Sequence, residues 1–502
     1  MLIRRWADLS NYRSEIRDSD IQRLRDKVVA NNYGMYLRRV TLTKVRQFSD
    51  RLVSFDFPVT ALIGPNGGGK TTILGAAGLA YKDITPGTFF AKSGPYDASM
   101  KNWSIEYEVI DKKTNPRLAF QRTASFPQLK WNRKALARPV YYFGVSRTVA
   151  ATERRELVKA IGNMFVAAEV IALSDEVIAA VERILGKDMQ GCNRLRLAPG
   201  GKASMFAVRN SQGTEYSEFH FGAGEASVVR IVSEIEQAPD NALILIEEIE
   251  NGLHPVATRR IVEYLVDVAL RKSCQVVFTT HSNEALAPLP SIAIWSAYNG
   301  EVLQGKLDVG ALRTITGQID ARLAIFVEDS FAELMVACAL RYYGQVEVDA
   351  IQIHSMGGEA PARKVNEQHN VDPSAQFPSV CILDGDQSER VDPEKGEFCL
   401  PGAGLPEAHV FDLVLDNIDT LVGRLAVSLQ LPPEAQNRVK KVVRDRALTN
   451  ADRHVILVQI GEDLDFTSEL VVANAFLAMW AQYRPDELRG LIDSFKDKLP
   501  MR

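Results

Sequence analysis

The sequence predicts an α/β protein with two parallel-sheet units in tandem and a helical tail, and three observations carry that prediction. Apolar runs at Val59-Thr-Ala-Leu-Ile63, Ala242-Leu-Ile-Leu-Ile246 and Gln275-Val-Val-Phe-Thr279 alternate with helical segments. Strands that are apolar throughout belong to sheets covered on both faces. The alternation restarts after Gly310, with strands at Ala324–Val327, Ala350–His354 and Ser379–Leu383 and a helix at Ser330–Tyr343; from Val410 onward the pattern is helical, broken at Pro432-Pro433 and Pro485. With 502 residues, 46% of them apolar and 24% charged, the chain holds two or three globular domains, which excludes disorder and fibrous repeats.

In chain order, residues 1–34 read as a helical extension, with Asp18-Ser-Asp20 as its cap and Asn31-Asn32-Tyr33-Gly34 as its stop. Residues 35–310 form the first α/β domain. It opens with strands Tyr36–Leu42 and Val59–Ile63, then a glycine-rich turn and the helix Thr71–Leu79. Residues 80–220, with strands at Trp103–Ile110 and Val140–Phe143 and helices around 151–186, read as an insertion. A helix near Val256–Leu270 separates the two later strands. Residues 320–420 form the second, smaller α/β unit and 421–502 the helical region. No run of eighteen apolar residues occurs and the N-terminus carries early charge, so the expectation is a cytoplasmic protein with no membrane segment. Five scattered cysteines without a C-x-x-C pair suggest neither disulfides nor a cysteine zinc site.

The net charge of −4 hides an asymmetry, because residues 1–160 hold 28 Lys/Arg against 14 Asp/Glu. A basic N-terminal third suits a polyanion such as DNA, and the acidic remainder suits divalent metal. The densest basic stretch sets Lys130, Arg133, Lys134 and Arg138 around Trp131, an interleaving that fits phosphate contact and base stacking. Arg4-Arg5 and Arg23, Arg25 and Lys27 are further candidates. A solvated surface accounts for the same charges.

The chemistry is clearest at Gly64-Pro-Asn-Gly-Gly-Gly-Lys-Thr-Thr72, which fits G-x-x-x-x-G-K-[ST] between a strand and a helix. Asn66, Gly67, Gly68 and Gly69 supply backbone N–H groups to phosphates, and Lys70 reaches the β- and γ-phosphates. Thr71 offers its hydroxyl to Mg²⁺, with Thr72 following on the helix. The cofactors implied are ATP and Mg²⁺. Downstream, Leu243-Ile-Leu-Ile-Glu-Glu248 ends a strand in two carboxylates, Glu247 for the metal and Glu248 for the attacking water. Thr279-Thr-His-Ser282 then places His281 to sense the γ-phosphate.

Between these lies Phe221-Gly-Ala-Gly-Glu225, and the whole order resembles ABC-type ATPases, in particular the branch holding OLD-family proteins and chromosome-maintenance and repair ATPases. The resemblance spans residues 36 to about 300. It implies that Gly222, Ala223, Gly224 and Glu225 of one subunit close over ATP held by the other, with Glu250–Pro255 at the seam of a homodimer or higher oligomer. Two departures stand out: Gly222 replaces the family's serine, and Glu247 its aspartate. No glutamine loop is assigned.

A second acidic constellation follows. Phe326-Val-Glu-Asp-Ser330 ends a strand, and Cys381-Ile-Leu-Asp-Gly-Asp-Gln387 ends another some 55 residues on. Acids at the C-terminal ends of parallel strands share one sheet edge. There Asp384 and Asp386 would face a cation, and Glu328 would move protons or ligate a second. Residues 322–420 resemble the Toprim domain, and ATPase followed by Toprim is the OLD-family order. The family's glycine after the first glutamate is Asp329 here. The resemblance implies two-metal phosphodiester cleavage with Mg²⁺ or Mn²⁺; Glu389, Asp392, Glu394 and Glu407 are further acids for the second ion, with no order among them. The tail from Asp452-Arg-His454 to Leu499 reads as packing surface without chemistry.

The function expected is therefore an OLD-like ATPase coupled to a Toprim nuclease acting on DNA, in phage defence. The alternative is an ATPase sensor of Septu or retron-associated type, with a Toprim-like scaffold and a separate HNH-type nuclease partner. A coiled-coil repair ATPase ranks last, since Lys70 and Gly222 are not separated by sustained heptads.

Overall fold

The computed structural model describes residues 16–305 and 321–501, apart from 93, 128–129, 162–165, 200, 202, 210–212, 372–374, 376 and 466. Arg4 and Arg5 lie outside them. The described residues divide into two compact units, one over 16–305 and one over 321–501.

The first unit opens with helix α1 (Asp18–Val29). Arg17, not an aspartate, holds the N-cap position, and no side chain caps it; Asp18 and Asp20 instead occupy the first turn, where negative charge suits the helix dipole. Next come β1 (Met35–Val45), β2 (Phe48–Ser54), β3 (Val59–Ile63), α2 (Lys70–Leu79) and α3 (Pro86–Phe89), followed by β4 (Trp103–Asp111), β5 (Phe120–Phe126), β6 (Asn132–Arg133) and β7 (Val140–Phe143). The unit continues through β8 (Glu169–Ala172), α4 (Asp175–Leu185), β9 (Asn193–Arg196), β10 (Ser204–Arg209), β11 (Glu215–Ser217) and α5 (Ala223–Gln237). It closes with β12 (Leu243–Ile246), α6 (Pro255–Lys272), β13 (Gln275–Thr279), α7 (Asn283–Leu286), β14 (Ile294–Tyr298) and β15 (Glu301–Gln304).

The principal sheet has the order β15-β14-β3-β13-β12-β7 and is parallel except for the β14–β15 hairpin. Every residue of β3, β12 and β13 is buried, as a doubly covered sheet requires. Residues 80–220 are not one insertion. β4 pairs with β1 in an antiparallel sheet of order β2-β1-β4-β5-β6, and β7 joins the principal sheet, setting Val140–Phe143 against Leu243–Ile246. Among the described residues of this stretch β8–β11 build a separate sheet, and the part read as helices around 151–186 yields 3₁₀ turns, strand β8 and helix α4.

The second unit holds β16 (Leu323–Val327), α8 (Ser330–Tyr343), β17 (Ile351–Ser355), α9 (Glu359–Val371), β18 (Ser379–Leu383) and β19 (Glu397–Cys399). All four strands are parallel, in the order β17-β16-β18-β19. Six helices follow: α10 (Pro406–Asp416), α11 (Ile418–Ser428), α12 (Gln436–Thr449), α13 (Ile456–Asp463), α14 (Glu469–Tyr483) and α15 (Pro485–Asp493). They do not fold apart from the sheet. Trp480, Phe476 and Leu477 of α14 share one apolar core with Met335 and Val336 of α8 and Ile325 of β16, and α8 packs directly on α14 and α15. Among the described residues no helix is long and apolar enough to cross a membrane.

Candidate functional site

The phosphate loop leaves β3 and enters α2, and its geometry depends on glycine. Gly69 has φ 105°, and a Cβ there would lie 2.3 Å from the Phe48 ring; Gly67 has φ 79°. Lys70 is buried, with Nζ donating to the carbonyls of Gly64 (2.8 Å) and Pro65 (3.0 Å). Burial pushes its ammonium down to about 8, against the pull of Glu248 and Glu250. A cavity of about 290 Å³ opens here, lined by Asn66, Gly67, Gly69, Lys70, Thr71 and Thr72 from the loop and by Glu247, Glu248 and Thr279 from the ends of β12 and β13. Gly68 shapes the loop through its N–H on the Pro65 carbonyl (3.1 Å).

Two arginines of this site were not singled out from sequence. Arg46, in the β1–β2 turn at φ 52°, lines the cavity and donates to Thr72 Oγ1 (2.8 Å) and the Phe89 carbonyl. Arg147 follows β7 and is buried. Its guanidinium donates to the carbonyls of Glu247 and Glu248 (both 2.6 Å), to that of Gly144, and to Ser227 Oγ on α5. Glu248 has φ 44°, a left-handed backbone that costs a non-glycine residue free energy. Arg147 and Thr279 Oγ1, which accepts from the Glu248 N–H at 2.8 Å, hold that conformation. Glu247 accepts from the Tyr142 hydroxyl at 2.9 Å. An arginine a few residues beyond an apolar strand is all that sequence offers for Arg147.

His281 and the Gly222–Glu225 segment do not line this cavity. The His281 N–H and Thr280 Oγ1 both donate to the Glu250 carboxylate at 2.7 Å, so Glu250 braces the turn after β13. Gly222 is the N-cap of α5 and has open space around it. Ala223 opens the helix, and Gly224 meets the Gly252 carbonyl so closely that a Cβ would lie 2.0 Å from it. Glu225 pairs with Lys187 (2.8 Å).

The basic stretch serves the interior. Arg138 is buried and donates to the Asn241 carbonyl and Gln275 Oε1, Arg133 donates to the carbonyls of Leu79, Tyr81 and Ile84, and Trp131 packs on Phe90 and Phe126. Only Lys130 and Lys134 of that set face solvent. Lys27 is likewise engaged, with Ser273 Oγ at 2.6 Å.

In the second unit the acids gather at the C-terminal ends of β16 and β18, the neighbouring strands between which the order reverses, where open α/β sheets bind ligands. Glu328 Oε1 accepts from the Asp384 N–H (2.9 Å). Asp384 is buried and its Oδ1 has no hydrogen-bond partner. Burial, then Glu328, Asp329, Glu407 and Asp386, push its carboxyl up to about 8; Glu328 is raised for the same kind of reason. Asp386 faces solvent from the turn after Asp384, so the two aspartates do not present themselves equally. Gly385 between them is required, since a Cβ would lie 2.3 Å from the Gly402 carbonyl. Of the further acids, Glu389 and Glu394 are exposed and Asp392 caps its own turn, whereas Glu407 is buried beside Asp329.

Two family models match the first unit: residues 39–136 fit one described as an AAA domain, and residues 93–287 one described as AAA domain, putative AbiEii toxin, Type IV TA system. The chain is 33% identical over 79 residues to the DNA replication and repair protein RecF of Beutenbergia cavernae, a stretch covering 16% of this chain and 18% of that protein. Among solved structures it is similar to the SMC head domain from Thermotoga maritima (TM-score 0.35, 12% identity, 54% of this chain and 99% of that one) and to the recombination mediator protein RecF with ATP (TM-score 0.33, 11% identity, 54% and 99%). Residues 39–287 are thus spanned by two AAA-domain matches.

Proposed function

We propose that the chain is an OLD-like ATPase whose ATP-binding unit controls metal-dependent DNA cleavage by the Toprim-like unit, in defence against phage. The observation that carries this reading is the crowding of Glu328, Asp329, Asp384 and Glu407 at the strand ends of β16 and β18, with Asp384 Oδ1 buried and unpartnered. A buried carboxylate oxygen without a donor is costly, and a cation removes that cost. The donors around Asp384 are all oxygen, the kind Mg²⁺ and Mn²⁺ take; Asp384 and Glu328 would hold the ion, joined by Asp386 once it turns in from solvent. A divalent cation bound there supplies charge to a phosphodiester and acidity to a water. Glu328, already bonded to the backbone beside Asp384, orients the strand end and is placed to exchange a proton.

In the ATPase unit, Lys70 and the loop N–H groups hold phosphates, and Thr71 and Glu247 suit the Mg²⁺ that accompanies ATP. Glu248 orients the hydrolytic water from its strained backbone; His281, outside the cavity lining, is assigned to the γ-phosphate by the resemblance alone. Gly222–Glu225 closes over ATP on a second copy of the chain; the open space at Gly222 and the N-terminus of the fifteen-residue α5 suit an anion presented by that copy. Cleavage of supercoiled plasmid by wild type and Asp386→Ala, with Mg²⁺ or Mn²⁺ and with or without ATP, tests the reading. Wild type is expected to nick DNA and the variant, altered at an exposed side chain, to lose nicking while retaining ATP binding. If neither nicks while both bind ATP, the chain is the regulatory half of a complex with a separate nuclease.

A further inference from the structure

We propose that Asp329, Glu407 and His454 form a second, mixed nitrogen and oxygen cation site that favours Mn²⁺ or Zn²⁺ over Mg²⁺. Their ligand atoms all lie within 4.8 Å of one another. Three separate elements deliver them: Asp329 is the N-cap of α8, Glu407 lies in the first turn of α10, and His454 lies in the 3₁₀ turn Arg453–Val455 between α12 and α13. Asp329 Oδ1 accepts from the Ala332 N–H at 2.8 Å, which fixes its carboxylate, and Asp452 caps the turn that carries His454.

The independent sign of a ligand is Glu407. It is only 5% exposed, yet Oε2 has no hydrogen-bond partner, while Oε1 stands 3.6 Å from His454 Nδ1, beyond a hydrogen bond. A helix N-terminus stabilises a carboxylate but leaves that orphaned oxygen unexplained. His454 is half-exposed, giving the site a mouth to solvent and a side chain free to draw in as a cation seats. A cation held at about 2.1 Å by each ligand sets neighbouring ligands about 3 Å apart, so ligand atoms now within 4.8 Å of one another draw together as it binds. Imidazole shifts preference away from Mg²⁺, which takes oxygen donors and keeps its waters, toward Mn²⁺ and Zn²⁺. That this is the second ion of the cleavage centre rests on the nuclease reading; the binding itself does not.

The test is direct cation binding to the full chain without nucleotide, by calorimetric titration with Mn²⁺, Zn²⁺ and Mg²⁺ and by electron spin echo on the Mn²⁺ form. Wild type is expected to bind Mn²⁺ with imidazole ¹⁴N modulation. His454→Ala should remove the modulation and weaken Mn²⁺ and Zn²⁺ by about 10- to 100-fold. His454→Asp should restore Mn²⁺ and improve Mg²⁺ relative to Zn²⁺. Unchanged Mn²⁺ and Zn²⁺ titrations in His454→Ala overturn the proposal. If Asp386→Ala abolishes nicking while His454→Ala binds metal like wild type, the nuclease reading stands and the mixed cation site fails. If metal binding depends on His454 but wild type does not nick DNA, the cation site stands and the nuclease reading fails.

Discussion

The two sheet edges that carry acids are built on opposite principles. At the ends of β12 and β13 protein groups brace the site: the Glu247 carboxylate accepts from Tyr142, the Glu248 backbone is held by Thr279 and Arg147, and Lys70 Nζ donates to the loop carbonyls. At the ends of β16 and β18 the charged neighbours acting most strongly on Asp384 are all acids, and two buried oxygens, Asp384 Oδ1 and Glu407 Oε2, have no partner. The first edge is organised by its own cations. The second brings acids together with no cation of its own among them.

Breaking the first edge should give the largest effects. Glu248→Gln keeps the shape but removes the charge proposed to orient water, so ATP turnover should fall about 10²- to 10⁴-fold with nucleotide binding intact. Single-turnover hydrolysis beside a binding titration checks this; equal losses in both would place Glu248 among the binding groups. Lys70→Ala should weaken ATP by about 10- to 100-fold, the range for losing hydrogen bonds from a charged donor at roughly 1.5–3 kcal/mol. A fluorescent-nucleotide titration measures it.

A smaller effect, about tenfold in kcat or roughly 1.4 kcal/mol, is expected from Arg147→Lys. Lysine keeps the charge but cannot fork across two carbonyls and reach Ser227 as well. KM should stay near wild type, since Arg147 does not line the cavity. A rise in KM with unchanged kcat would show that Arg147 shapes binding rather than the Glu248 backbone.

What sequence revealed divides along the same line. β3, β12 and β13 were legible because strands buried on both faces are apolar throughout, and the phosphate loop because glycines at positive φ recur at fixed spacing. Arg147 and His454 were not, because their roles depend on partners from distant elements: Ser227, 80 residues away, for one, and Glu407 for the other. The basic stretch was legible only in part, for a related reason. Sequence displays the charge of Arg133 and Arg138 but not the carbonyls and the Gln275 side chain that absorb it. β7 was found as a strand, yet its place beside β12 depended on a pairing across some hundred residues that local patterning does not encode.

The smallest effect sharpens the contrast through stability. Burial and four neighbouring acids hold the Asp384 carboxyl at about 8, whereas an aspartate in the unfolded chain titrates near about 4. The folded chain therefore keeps this proton more tightly than the unfolded chain. The resulting stabilisation is full below about pH 4 and disappears as pH rises through about 8. In EDTA, the melting temperature of the second unit should fall between about pH 5 and about pH 8.5, by roughly 2–4 °C for each kcal/mol lost in a unit of this size. Asp384→Asn, which cannot ionise, should flatten that slope and melt higher than wild type at about pH 8. Mn²⁺ added at that pH should raise the wild-type transition more than the variant's, because the ionised carboxylate is the proposed ligand. Parallel wild-type and Asp384→Asn profiles would mean that water, not other acids, surrounds Asp384, and the second edge would then need no external cation.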